Sequence, residues 1–149
     1  MKYKIYYHLV PDKKEKNIEQ VLEVIELTDY KLCAESSKKL RLKILEDLIP
    51  RGWSSKVKLS VSSNISVTAM KSNTALCFQT GNMGRFYADL LKLQYLYINN
   101  KIVQAFYIIP TKQVAKKMGS NLANFERLVD ELKLFEKIIT VPIFIIGLS

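Results

Sequence analysis

Ile18, Val21, Leu22 and Ile25 fall at the i, i+3, i+4, i+7 spacing of an amphipathic helix. Asn17 ahead of them, with Gln20 three residues on, has the form of a capping arrangement. The same spacing predicts a second helix over residues 30–49, through Leu40, Ile44, Leu45 and Leu48, until Pro50 stops it and Gly52 turns the chain. The period then changes. Val57, Leu59 and Val61 alternate with polar residues, as do Ile65 and Val67, which is the period of a strand. Ser62-Ser63-Asn64 and Lys71-Ser72-Asn73 have turn composition, and residues 74–79 read as a third, more buried strand that completes a meander.

Thr80-Gly81-Asn82 opens a long helix over 83–98, with Met83, Phe86, Leu90, Leu93 and Tyr97 along one stripe and Asn99-Asn100 at its close. Residues 102–109 are almost wholly apolar, which suits a strand buried on both faces and broken by Pro110. A short basic helix over 112–118, a second helix over 122–135 and an apolar strand over 138–146 finish the chain. The order ααβββαβααβ predicts an α/β (α+β) fold: a mixed sheet with helices on both faces. With 149 residues, no internal repeat and no linker, one domain is expected. Residues 1–49 are its helical N-terminal section and residues 50–149 its core.

A hydrophobic content of 48% excludes a disordered chain. No apolar run reaches the roughly 18–20 residues of a membrane span; the longest, over 138–148, is interrupted by Thr140 and Pro142. The N-terminal residues lack the apolar centre of a secretory signal. Two cysteines, Cys33 and Cys77, and one histidine argue against a disulfide scaffold and a structural zinc site. A cytoplasmic protein without a membrane partner is expected.

Charge sharpens this picture. In residues 48–125, ten basic side chains stand against Asp89 alone, which accounts for the whole net charge of +9. So one-sided a segment attracts polyanions, nucleic acid first among them.

Several local sequences then carry a resemblance. Leu48-Ile49-Pro50-Arg51-Gly52-Trp53 ends the helical section; Ala75-Leu76-Cys77-Phe78-Gln79-Thr80-Gly81-Asn82 leads from strand to long helix; Arg85-Phe86-Tyr87-Ala88-Asp89-Leu90-Leu91 continues it. Tyr107-Ile108-Ile109-Pro110 and Met118-Gly119-Ser120-Asn121 follow. Together these resemble the type II restriction endonucleases of the BglII and BamHI kind, which carry the core of the PD-(D/E)xK nuclease fold. The resemblance is good over residues 50–149 and weak over residues 1–49. It implies an Asp on one meander strand and a Glu on the next, holding a divalent metal that polarises the scissile phosphate and activates water.

Residue by residue, Thr68 stands at the Asp position, Cys77 at the Glu position and Gln79 at the final motif position; only Gln79 agrees. No Asp or Glu occurs anywhere from residue 48 to residue 88. The resemblance therefore implies a DNA-binding protein in which metal-dependent phosphodiester hydrolysis is impaired or lost, with no cofactor. Lys71 joins the catalytic positions as a phosphate contact. Arg51, Lys56, Lys58 and Arg85 flank the expected cleft, Thr80 and Asn82 offer polar groups at a helix N-terminus, and Asn64 and Ser66 are further DNA contacts. Trp53 is assigned to the core or an interface, and Asp89 to a helix salt bridge or the surface.

Two alternatives stay open. One is an active Mg2+-dependent type II site-specific deoxyribonuclease that completes its metal site with Glu46, Asp47 or a partner chain. The other is a non-catalytic partner subunit of a nuclease. The aromatic residues Phe86, Tyr87, Tyr95 and Tyr97 make the long helix apolar on more than one face, which suits interior packing or a C2 homodimer on double-stranded DNA.

Overall fold

The computed structural model describes residues 1–30 and 37–149, so the part of the second expected helix that contains Cys33 lies outside the described residues. The elements run β1 (Tyr3–His8), α1 (Lys16–Leu27), α2 (Ser37–Leu48), a 3-10 turn (Ile49–Arg51), β2 (Val57–Lys58), β3 (Ser66–Val67), β4 (Ala69–Lys71), β5 (Thr74–Phe78), α3 (Arg85–Ile98), β6 (Gln104–Pro110), α4 (Lys112–Met118), α5 (Phe125–Leu134) and β7 (Ile143–Leu148). Five strands form the main sheet in the order β1-β7-β6-β5-β4. β5, β6 and β7 are parallel, and each edge strand is antiparallel to its neighbour. The expected mixed sheet with helices on both faces is the architecture observed.

Strand alternation builds two cores from the same strands. Ala75 and Cys77 of β5, Ala105, Tyr107 and Ile109 of β6, and Ile143 and Ile145 of β7 pack with Phe86, Leu90 and Leu93 of α3 and Leu128 and Leu132 of α5. Leu76, Phe78, Phe106, Ile108, Phe144 and Ile146 face the other way, onto Val21 and Ile25 of α1, Leu40 and Ile44 of α2, and Trp53. There the Phe106 and Phe144 rings meet edge to face at 5.2 Å. At Gly147 an added Cβ would fall 2.7 Å from the Phe125 ring, so only glycine admits α5 this close to β7.

The structure corrects several expected elements. β1 was not foreseen; it pairs with β7 from Tyr3↔Leu148 to His8↔Ile143. Its three tyrosines and one lysine sit on a half-covered edge, where side chains carry little periodic signal. The meander is split: β2 and β3 form a separate two-residue ladder, and the main sheet continues instead through the β4–β5 hairpin. Pro110 does not break β6 but is its last residue, beyond Ile108, the last position paired with β5, where a missing N–H costs little. The N-cap of α1 is Glu15, whose carboxylate accepts the Ile18 N–H at 3.0 Å, and not Asn17. α5 begins only at Phe125, after Asn124 caps it, because Ala123 donates its N–H to the Gly81 carbonyl at 2.9 Å. β7 begins at Ile143, later than expected. Among the described residues no helix is long and apolar enough to cross a membrane.

Candidate nucleic-acid interface

Beyond its last pairs with β4 and β6, β5 runs out toward the start of α3, and a cleft of about 420 Å³ opens there. Thr68, Cys77 and Gln79 line it from the sheet, Arg85, Asp89 and Lys92 from α3, Arg41 from α2, and Lys56 and Ser66 from the flanking segment. Alternation explains the sheet residues: Cys77 and Gln79 are two apart on the α3 face. Arg85, Asp89 and Lys92 are spaced i, i+4, i+7 and so share one helix face. That spacing marks the three as one polar face already in the sequence, but not the cleft that the face borders.

Asp89 is the centre of the polar network. Its Oδ2 accepts from Gln79 Nε2 at 2.6 Å and from the Tyr107 hydroxyl at 2.8 Å, while its Oδ1 lies 2.8 Å from Lys92 Nζ. At 7% exposure it is a buried carboxylate and not a surface residue of the helix. The Gln79 carbonyl oxygen accepts the Gly81 N–H at 2.9 Å, which fixes the amide with its nitrogen toward Asp89. A Cβ on Gly81 would lie 2.9 Å from both Gln79 Oε1 and Arg85 Cδ, so the glycine allows both side chains to fold over this turn.

Thr68 and Cys77 are already committed. The Thr68 hydroxyl oxygen accepts the Phe78 N–H at 3.0 Å, stitching β4's approach to β5. Cys77 is a buried free thiol; burial pushes its pKa up, and the charge of Asp89 pushes it further. Tyr107 is likewise held protonated, by burial first and Asp89 second.

Several expected contacts lie elsewhere. Lys71 is three residues from Thr68, an odd step that turns it to the opposite face of the sheet. There its ammonium donates to Gln20 Oε1 and to the Arg51 carbonyl, both at 2.6 Å. Arg51 donates to the Asp47 carbonyl at 2.7 Å and lies 3.9 Å from Glu23, also away from the cleft. Lys58 and Asn64 are exposed on the small hairpin and do not line the cleft. Thr80 and Asn82 connect Gln79 to α3 outside its lining; the Asn82 side chain accepts the Gly84 N–H at 3.1 Å. Glu46 and Asp47 are exposed on α2 and do not reach it. Trp53 is buried against Phe106 at 5.8 Å.

The donor set does not suit the divalent metal of the resembled enzymes. A hard cation takes six or more oxygen ligands, carboxylates among them. Among the described residues Asp89 alone supplies one to the cleft, with both of its oxygens engaged, against Arg41, Lys56, Arg85 and Lys92. No three His, Cys, Asp or Glu side chains come together among the described residues.

Beside the cleft, sharing Ala88 and Lys92 with it, runs an apolar groove of about 480 Å³ between Leu59 and Ile65 on one side and Leu91 and Tyr95 on the other. Leu91, Tyr95 and Ile98 continue as an exposed stripe along α3.

Residues 9–148 match the family model described as restriction endonuclease BglII/BglIII. The fold is similar to that of the restriction endonuclease BglII complexed with a DNA 16-mer, with a TM-score of 0.88 and 14% identity over 100% of this chain and 78% of that one. Free BglII is similar at a TM-score of 0.80 and 16% identity, over 100% and 80%. Among curated proteins none matches this chain.

Proposed function

The chain belongs to the BglII/BglIII restriction endonuclease family, and from that premise we propose that it binds double-stranded DNA through this cleft while hydrolysing it poorly or not at all. One observation carries the reading: among the described residues the cleft presents Arg41, Lys56, Arg85 and Lys92 around a single carboxylate that is already bound on both oxygens. Such a surface attracts phosphate by Coulomb forces, and its affinity falls with salt because the counterions that binding releases gain less entropy in a more concentrated solution. Among the described residues it has neither an anionic seat for a divalent cation nor an unengaged base for a water molecule. The related BglII is known in complex with a DNA 16-mer, which supports duplex DNA as the ligand class.

The exposed stripe Leu91, Tyr95 and Ile98 supports self-association along α3. A C2 homodimer would set two clefts along one duplex and match a palindromic site. Static light scattering should give twice the chain mass; a single chain's mass refutes the dimer.

Duplex binding followed across a salt series tests the main reading, with log affinity expected to fall linearly in log salt. Plasmid incubated with Mg2+ or Mn2+ should remain intact. Metal-dependent cleavage at a fixed sequence would restore the enzyme reading.

A further inference from the structure

We infer that Arg41, Lys56, Arg85 and Lys92 together form a seat for a backbone phosphodiester, and that this seat makes DNA binding independent of divalent cations. The inference rests on the DNA-binding reading above and adds which groups neutralise the phosphate and what they replace. A cleft lined with several carboxylates repels phosphate until a bound cation reverses its charge. Here the reversal is built into the chain, because among the described residues four fixed cations surround one carboxylate.

The four come from three parts of the chain, α2, the segment before β2 and two turns of α3, and converge on one concave space. Concavity focuses their field. Lys92 is aimed and not free: Asp89 holds its ammonium at 2.8 Å, and Gln79 and Tyr107 in turn hold Asp89. An ammonium has three donors, so donors remain for a ligand in the cleft. Arg85 is laid over the rim by the missing Cβ of Gly81. Arg41, Lys56 and Arg85 have no ion-pair partner among the described residues, whereas Lys4, Arg51, Arg127 and Lys133 each have one. Of the four cleft cations Lys92 alone is ion-paired, with Asp89.

The test is fluorescence anisotropy of the full chain with a labelled duplex, in EDTA and in calcium at matched ionic strength. The two dissociation constants should agree within about twofold, since the phosphate charge is met by side chains and not by an ion. Binding about tenfold or more tighter in calcium overturns the inference but leaves DNA binding intact. Arg41→Gln and Lys56→Gln should each lower the salt slope by about one, and Arg41→Lys should restore it. Slopes unchanged in both glutamine variants also overturn the seat. Absence of salt-dependent duplex binding by the unsubstituted chain in either buffer is a different failure, that of the DNA reading itself.

Discussion

The two faces of the central sheet are made from alternate residues of the same strands and have opposite fates. On the α1/α2 face Leu76, Phe106, Ile108 and Phe144 are fully buried, and Lys71, on the same face, ties β4 to α1 and to the 3-10 turn. On the α3 face Tyr107 and Cys77 are as deeply buried, but the layer ends at Gln79 and Asp89, where the cleft opens. The polar groups of the first face hold elements together. Those of the second hold one another and leave cations turned toward solvent. A lysine on a strand is thus a structural tie or a ligand contact according to which face its register selects.

Substitutions can break that contrast. Phe106→Ala on the closed face should cost the most, about 4 kcal/mol in urea unfolding, because its ring meets both Trp53 and Phe144. Asp89→Asn should lose about 2 kcal/mol, as the buried Gln79 amide and Tyr107 hydroxyl and the half-buried Lys92 ammonium lose a charged acceptor. It should bind duplex DNA more tightly at the same time, with a steeper salt slope, because the cleft gains one net positive charge. Destabilisation with weaker binding would show that Asp89 serves mainly to aim Lys92. Lys71→Met should lose about 1.5 kcal/mol by the same urea measurement and leave duplex affinity unchanged. A drop in affinity from a variant that remains folded would return Lys71 to the interface.

The smallest effect is one of pH. Burial, and then the charge of Asp89, raise the Cys77 pKa, so the folded chain keeps this proton where an unfolded cysteine, near about 8.5, releases it. The contribution is complete below that unfolded value and is lost as pH rises above it, by at most about 1.4 kcal/mol per pH unit. Tyr107, raised by burial and Asp89, adds a like loss from about pH 10 upward. Urea midpoints from neutral to alkaline pH should fall accordingly, and Cys77→Ala should flatten the first part of the fall.

Some of this could be seen before the structure and some could not. The helices α3 and α4 and the buried strand β6 announced themselves because their apolar spacing is strong and local. β1 did not, since an edge strand rich in tyrosine has no clear period until β7 lies beside it. Gln79 and Arg85 were picked out through the family resemblance and do line the cleft, with Lys56, Thr68 and Cys77. Lys71 and Arg51 were grouped with them by proximity in the chain, although the odd step from Thr68 to Lys71 already placed that lysine on the other face. Asp89 and Arg41 were passed over because each lies on a helix, and nothing local to a helix says which cleft its polar face will border.

Hydrophobic period, the concentration of positive charge in residues 48–125 and the want of acidic residues from 48 to 88 were all properties of the chain alone. They determined the class of fold and the sign of the field, because each is a sum over residues or a repeat within one element. Only the tertiary structure decided that Arg41, Lys56, Gln79, Asp89 and Lys92 meet at one place. Their meeting depends on how α2 and α3 are laid against the sheet by two separate cores, and period within an element specifies which side is buried but not what it is buried against.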